Sequence, residues 1–382
     1  MKNYFYLFAF IGALLSSLFF ISRAFAPVEY VSERIGGAEE KKDEEVKKVE
    51  HLPTPDAVKG IYMTSWVSGT KDWRANMVNF IDKTEINSVV IDVKDYSGRV
   101  SFDTGDEKIK EIGSEEIRVN DLPLFIEKLH EKGIYTIARI TVFQDPFYAK
   151  KYPASAVKNK SGGVWKDRKG LSYVDPAAKD FWDYMVLLSR ASERAGFDEL
   201  NYDYIRFPSD GNMADIVFSH SGEKNKADVL DSFFSYLRAE LKGGENALLV
   251  PLSADVFGMT TTNTDDLGIG QVLERIDKHF DYIAPMVYPS HYPPTFLGFK
   301  NPADHPYEVI KFAMEAAVLR LAAPTSTPTK LRPWIQDFDL GATYDEPMIR
   351  AQKKAVYDSG LQSWLSWDPA NRYTSEGYDN EE

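Results

Sequence analysis

The chain has 382 residues, of which 43% are hydrophobic and 13% aromatic, and this is enough for one large single-core domain with extensions. Its net charge of -13 argues against the basic face that phosphate binding needs, so no nucleic-acid partner is expected. The chain contains no cysteine, which excludes disulfides, thiolate metal sites and a thiol nucleophile.

Residues 1–26 carry a membrane signal. Lys2 precedes an apolar run that ends near Ile21, and Ala24-Phe25-Ala26 has the small-x-small form of a signal-peptidase site. The apolar run, at roughly eighteen residues, is also close to the length of a spanning helix. A cleaved signal peptide and a retained membrane anchor both stay open. In either case the sequence predicts an extracytoplasmic protein, secreted or held at the membrane by one N-terminal span.

Residues 27–56 differ in composition from the rest of the chain. Acidic and basic residues alternate from Glu39 to Lys48, and no aromatic residue follows Tyr30 in this stretch. Such a segment cannot bury enough apolar surface to fold alone. We therefore predict a charged, disordered linker, with a short solvated helix over 38–50 as the alternative, and a folded domain over residues 57–382.

From residue 59 onward, strand-like and helix-like segments alternate, which is typical of a parallel α/β fold. Eight strands are predicted, at residues 60–66, 88–95, 134–141, 199–207, 248–256, 282–288, 331–338 and 361–367. Seven amphipathic segments lie between them, near residues 73–84, 121–132, 177–195, 226–242, 269–279, 304–322 and 345–359.

This number and rhythm of elements predict a (β/α)8 TIM barrel. Its eighth helix is predicted to be missing or vestigial, because only a short and mostly polar stretch follows Trp367. A doubly wound open sheet is the competing architecture. It is disfavoured because no Gly-rich phosphate loop follows the first strand.

Polar and aromatic side chains gather where the predicted strands end, which in a barrel of this kind is the face that carries the active site. Acids together with exposed aromatic rings on one rim are typical of proteins that bind and cut carbohydrate. Apart from the two catalytic candidates, Asp203 and Asp255, the residues predicted to bind substrate are Trp66, Asp92, Asp95, Arg139, Arg206, Tyr288, Asp337, Trp367 and Asp368.

Asp203 and Asp255 are the predicted catalytic pair, because a glycosidase usually needs one ionised and one protonated carboxyl group. Asp203 is assigned the ionised role, with Arg206 as a partner if the strand bends near its tip. Asp255 is assigned the acid role, since apolar neighbours raise a carboxyl pKa by desolvation. Retention and inversion at the anomeric carbon both stay open, and Asp92 and Asp337 are held as reserve acids.

Other chemistries find less support in the sequence. The six histidines make no H-x-x-x-H or H-E-x-x-H pair, so neither a metal nor another cofactor is predicted. No G-x-S-x-G motif is present for a serine nucleophile. The long basic insertion over residues 143–175 is predicted to form a flap that carries Trp165 and covers the cleft. The alternative is a solvated loop.

Several of these motifs together resemble a known family. They are Tyr202-Asp203-Tyr204-Ile205-Arg206-Phe207-Pro208, Ile91-Asp92-Val93-Lys94-Asp95, Ser253-Ala254-Asp255-Val256-Phe257-Gly258, Ala284-Pro285-Met286-Val287-Tyr288-Pro289 and Trp367-Asp368-Pro369-Ala370-Asn371-Arg372-Tyr373. Over residues 57–375 the chain is similar to DUF4015, a family of glycoside-hydrolase domains related to the hydrolase domain of a biofilm poly-N-acetylglucosamine processing protein. The resemblance implies a TIM-barrel glycosidase-like fold.

The function expected from these observations is an exported or membrane-tethered glycoside hydrolase that cleaves a polysaccharide. The alternative is a non-catalytic glycan-binding barrel protein of the cell envelope. A polysaccharide deacetylase is a third possibility, which the lack of clustered histidines disfavours.

Overall fold

The centre of the computed structural model, which describes residues 50–322 and 326–380, is a closed barrel of eight parallel strands. Each strand pairs with the next along the chain, and the ring closes where Gly60 lies opposite Leu365. The predicted barrel is therefore confirmed. The strands are β1 Lys59–Met63, β2 Ser88–Lys94, β3 Tyr135–Thr141, β4 Glu199–Asp203, β5 Leu252–Phe257, β6 Tyr282–Met286, β7 Trp334–Gln336 and β8 Trp364–Trp367.

β2 and β3 are buried along their whole length, because helices cover the outside of the barrel and side chains fill its inside. β4 ends earlier than predicted, at Asp203. The next residue, Tyr204, has a φ of 53°, and this left-handed conformation turns the chain out of the barrel wall.

The helices cover the outside of the ring. The longest helix is α7, Lys226–Lys242. Helix α6, Lys179–Arg194, buries Phe181, Met185 and Leu188 on the face that meets the barrel. Helix α8, Leu273–Asp277, is shorter than predicted, because Gly268 and Gly270 have φ values of 66° and 88°. The helices are α1 Ser65–Gly69, α2 Lys71–Ile81, α3 Glu107–Ile112, α4 Leu122–His130, α5 Pro146–Lys151, α6 Lys179–Arg194, α7 Lys226–Lys242, α8 Leu273–Asp277, α9 Pro306–Leu321 and α10 Glu346–Asp358.

The segment after β8 contains a single 3-10 turn, Ser375–Gly377, within the part of the chain that the structure describes. The prediction of a missing or vestigial eighth helix is confirmed there. Tyr378, which follows this turn, is buried against the core. Its hydroxyl donates to a carboxyl oxygen of Asp337 at 2.7 Å.

Residues 1–49, with the predicted signal or anchor and most of the predicted linker, lie outside the described residues. The last part of the predicted linker is bound to the barrel. The backbone N–H of Leu52 donates to Asp198 at 2.8 Å, and the Thr54 hydroxyl lies 3.1 Å from that of Tyr135. These contacts are at the amino ends of β3 and β4, so the folded domain begins several residues before 57. Over residues 50–322 and 326–380, no helix has the length and apolar character needed to cross a membrane.

Candidate active site

A cleft of about 530 Å³ opens at the carboxyl ends of β3 to β8. Its floor holds Arg139 from β3, Asp203 from β4 and Asp255 from β5. The parallel barrel brings these residues together because every strand ends on the same face. The residues that line the cleft are Arg139, Lys169, Asp203, Tyr204, Arg206, Asp255, Phe257, Gly258, Met259, Met286, Tyr288, His291, Tyr292, Trp334 and Trp367.

Arg139 joins three carboxyl groups at the floor. One terminal nitrogen donates to Asp92 Oδ1 at 2.6 Å, and the other donates to Asp203. Its Nε lies 3.9 Å from Asp255 Oδ2. The Arg139 side chain is almost fully buried, and a buried cation requires compensating negative charge. The guanidinium of Arg139 is therefore the electrostatic centre of the cleft.

Asp255 has the environment of a protonated acid. Its Oδ1 accepts hydrogen bonds from Trp334 Nε1 at 2.8 Å and from Asn201 Nδ2 at 2.9 Å. Burial, and after it the nearby charge of Asp203, raises the pKa of the Asp255 carboxyl to about 8. At neutral pH this group therefore carries a proton that it can donate.

Asp203 has a different set of partners. It forms a direct ion pair with Arg139, and its Oδ1 accepts the backbone N–H of Tyr204 at 2.5 Å. The left-handed turn at Tyr204 accompanies this contact between adjacent residues. A non-glycine residue in this conformation costs about 1–2 kcal/mol, which is consistent with a backbone fixed to hold the carboxylate.

Trp367 forms an aromatic wall beside the floor. Its ring stacks on Tyr62 with centroids 3.8 Å apart, and it meets Trp334 edge-on at 5.5 Å. The hydroxyl of Tyr62 donates to Asp92. Burial raises the pKa of Asp92, which lies one layer behind Arg139 and outside the cleft lining.

Hydrogen-bond donors line the mouth of the cleft. Lys169 and His291 are exposed there, whereas Tyr292 is buried and its hydroxyl has no hydrogen-bond partner among the described residues. Burial, and after it the charge of Lys169, lowers the pKa of His291. Of these groups, Lys169 is the exposed donor that a ligand can reach.

The predicted pairing of Arg206 with Asp203 is wrong. Arg206 lines the cleft, but it donates to the carbonyl of Phe207 at 3.0 Å and to Ser209 Oγ at 3.2 Å. Its guanidinium also lies between the rings of Tyr204 and Phe257, at 5.1 and 4.7 Å from their centroids. The turn at Tyr204 takes Arg206 away from the strand direction, and Arg139 occupies the position beside Asp203.

The remaining predicted site residues lie outside the cleft lining. Asp337 accepts from Tyr378 and from the backbone N–H of Thr374, and burial raises its pKa to about 6. Asp368 accepts the backbone N–H groups of Ala370 and Arg372, each at 2.8 Å. Both acids thus hold the segment that follows β8. Asp95 and Trp66 lie farther along the rim, at the ends of β2 and β1.

The insertion over residues 143–175 borders the cleft through Lys169. Trp165, which was predicted to face the cleft, is instead only 2% exposed and packs with Val157 and Tyr173. Its Nε1 donates to the carbonyl of Asn212 at 3.1 Å. The indole is therefore part of the small core that stabilises the insertion.

Asn201 is the functional-site residue that the sequence analysis did not identify. Glu199, Asn201 and Asp203 alternate along β4, and alternate residues of a strand point to the same side. Applying this period from Asp203 would have placed Asn201 in the barrel interior, one layer below the acid.

No cluster of three or more His, Asp or Glu side chains with an arrangement suited to a metal ion occurs in the described ranges.

A parallel eight-stranded barrel with two carboxyl groups in one cleft at its carboxyl face defines a glycoside hydrolase of the barrel class. The chain belongs to the family DUF4015, described as "Putative glycosyl hydrolase domain", which matches residues 60–373. The family and the fold together make the protein a glycoside hydrolase.

The fold occurs in a solved structure, and a second solved protein is similar in sequence. The glycoside hydrolase domain of PgaB (BpsB) from Bordetella bronchiseptica is 13% identical with a TM-score of 0.61, over 85% of this chain and 99% of that one. A hypothetical protein from Ruminiclostridium thermocellum is 32% identical with a TM-score of 0.46, over 55% of this chain and 98% of that one. No match was found among curated proteins.

Proposed function

We propose that the protein hydrolyses glycosidic bonds of a polysaccharide, with Asp255 as the general acid and Asp203 as its ionised partner. The observation that carries this proposal is the different environment of two carboxyl groups in one cleft. Asp203 pairs directly with Arg139, whereas Asp255 is buried with a pKa raised to about 8. One protonated and one ionised carboxyl group in the same cleft are what acid-assisted glycoside cleavage requires.

In the proposed reaction, Asp255 transfers its proton to the glycosidic oxygen as the bond to the anomeric carbon breaks. Asp203 either attacks that carbon directly or removes a proton from an attacking water molecule. In the first case, water then hydrolyses the glycosyl-enzyme intermediate, with the Asp255 carboxylate as the base. The first route returns Asp255 to its protonated form directly. In the second route Asp203 holds the proton taken from water, and proton exchange with solvent restores both carboxyl groups. Both routes release one reducing end.

The walls of the cleft support this role. The Trp367 ring stands beside Arg139, with the guanidinium carbon 5.0 Å from its centroid, and the apolar face of a pyranose ring stacks well on an indole. Near the mouth, Arg206 and Lys169 are the donors proposed to hold sugar hydroxyls. A ligand of several sugar units matches a cleft of about 530 Å³.

Substitution of Asp203 by Asn tests the proposal against the alternative of a non-catalytic glycan-binding barrel. Reducing-end release from a polysaccharide panel should fall about 10³-fold, while binding of the same polysaccharides persists. Asp265→Asn is the matched control, because Asp265 is an exposed acid after β5 that lies outside the cleft lining. Binding by the native protein without any release of reducing ends would instead establish the glycan-binding alternative.

We also propose that the enzyme acts outside the cytoplasm. The support is the apolar run and the Ala24-Phe25-Ala26 site within residues 1–26. A cleaved and a retained N-terminal segment are both compatible with this location.

A further inference from the structure

Two aromatic side chains at the ends of β1 and β2 lie open to solvent. Trp66 is 57% exposed and Tyr96 is 58% exposed, and neither lines the cleft. By contrast, Trp334 and Trp364 are at most 1% exposed. An exposed large aromatic ring lacks the stabilising free energy that its burial would provide. Two such rings on one rim, within the described part of the chain, therefore indicate a binding surface.

The indole of Trp66 packs against the guanidinium of Arg118. The guanidinium carbon of Arg118 lies 4.4 Å from the centroid of the Trp66 ring. Arg118 is itself fixed, since it donates to Asp95 at 2.5 Å, to Glu116 at 2.8 Å and to Ser65 Oγ at 3.0 Å. One face of the indole is therefore covered by a rigid cation, and a ligand meets a ring that is already oriented.

Tyr96 stands on a closed turn beside the same network. The backbone N–H of Gly98 donates to the carbonyl of Asp95 at 3.0 Å, and Asp95 Oδ1 accepts the N–H of Ser97 at 2.9 Å. The other carboxyl oxygen of Asp95 is the one that binds Arg118. Trp66, whose ring lies against Arg118, and Tyr96, which follows Asp95 in the chain, are therefore next to one buried ion pair.

This pair of rings is on the same face of the barrel as the cleft. α1, which carries Trp66, follows β1 directly, and the turn at Tyr96 follows β2. β2 also supplies Asp92, which is bonded to Arg139 at the cleft floor. The rings thus occupy the β1 and β2 sector of the rim, next to the sectors that form the cleft.

We propose that Trp66 and Tyr96 form an outer glycan subsite, which stacks a pyranose ring of the same polysaccharide chain outside the cleft. The proposal rests on the proposed function and extends it, because it makes an extended chain, rather than a short glycoside, the preferred substrate. Two exposed rings beside polar groups, one of them held by Arg118, suit the apolar face and the hydroxyl edge of a sugar. Their position on the rim of the cleft makes the substrate chain the occupant.

The test measures binding without turnover. The Asp203→Asn variant, with and without Trp66→Ala plus Tyr96→Ala, is run by affinity electrophoresis in gels that contain xylan, carboxymethyl-chitin, β-glucan or alginate. The dissociation constant for the retarding polysaccharide should rise about tenfold in the triple variant, because exposed Trp and Tyr anchors carry much of the binding energy. Phe312→Ala is the matched control, since Phe312 is 44% exposed on α9.

Cleavage of a short substrate separates this subsite from the catalytic pair. In the native background, Trp66→Ala plus Tyr96→Ala should leave turnover of a disaccharide glycoside unchanged and raise KM for the polysaccharide. Trp66→Phe plus Tyr96→Phe keeps both rings and should restore most of the affinity, which distinguishes stacking from a folding defect. Equal retardation with and without the rings, or no retardation by any polysaccharide, would overturn the subsite. Lost affinity together with undiminished hydrolysis by Asp203→Asn would leave the subsite standing and overturn the catalytic assignment.

Discussion

Arg139 controls the charge balance on which the chemistry depends. One guanidinium faces Asp92, Asp203 and Asp255, so full ionisation of all three would leave a net charge of about -2 in a buried site. Protonation of one carboxyl avoids this cost. Asp255 is the group with the longest contact to Arg139, at 3.9 Å, and it is the one whose pKa is raised to about 8. This distribution of contacts supports the proposed roles of Asp255 as the acid and Asp203 as its partner.

The raised pKa of Asp255 predicts the alkaline limit of activity. Because an acid must be protonated to act, kcat/KM should fall as the pH rises through about 8, with a slope of one proton. Asp255→Ala should lose about 10³-fold on alkyl glycosides and much less on 2,4-dinitrophenyl glycosides, whose leaving group needs no proton. Stopped assays from pH 5 to 10 measure both effects. A profile that stays flat to pH 9.5, or equal losses on the two substrates, would contradict the acid role of Asp255.

At the scale of elements, the segment just before β1 is part of the folded domain. His51 lies 3.4 Å from Glu193 and 3.8 Å from Asp198, and Leu52 packs against the core cluster at the amino ends of the strands. Hydrogen bonds to Asp198 and then to Glu193 raise the pKa of His51 to about 9, against the desolvation that lowers it. The positively charged histidine therefore fastens this segment to the barrel.

His51→Gln tests that attachment through the pH dependence of stability. A histidine whose pKa is about 9 when folded and about 6.5 when unfolded contributes its full stability below pH 6.5, and loses it as the pH rises through 9. The variant should be less stable than the native protein by about 1–2 kcal/mol at pH 6, and equal to it at pH 10. Urea unfolding at several pH values measures this difference. His220→Gln, at an exposed histidine, should show no such convergence, and a pH-independent difference for His51→Gln would contradict the ion-pair explanation.

The same elements show how far sequence patterns reach. Strand count, barrel class and the position of Asp203 and Asp255 followed from apolar runs that end in acids, because a parallel barrel places all such ends on one face. The partner of Asp203 did not follow. The pairing of Asp203 with Arg139 depends on the left-handed backbone conformation of Tyr204. Sequence patterns predict this conformation at glycine, so a tyrosine gave no indication of it. The position of Trp165 was predicted wrongly for a related reason, because the sequence of a loop does not show which of its aromatic rings pack into a local core.

At the scale of the whole molecule, the proposed location can be tested directly. With a C-terminal tag, the full chain should be recovered outside the cytoplasm, in the membrane fraction if residues 1–26 are retained or in the medium if they are cleaved. A chain that starts at residue 50 should stay in the cytoplasm and keep the same far-UV circular dichroism per residue for the folded domain. Intact mass distinguishes cleavage from retention. Recovery of the full-length chain in the cytoplasm, at its uncleaved mass, would contradict export.

Residues just before β1 contact one end of the barrel, and the cleft opens at the opposite end. Residues 51–54 reach the barrel at the amino ends of β3 and β4, whereas the cleft opens at the carboxyl ends of the strands. Any support joined ahead of residue 50, whether a lipid bilayer, a resin or a fused carrier, is therefore attached to the face that the glycan does not use. Immobilisation through the amino end should leave a bulky polymer free to enter the cleft, while a carrier placed in the loops after β1 or β2 would stand in its way.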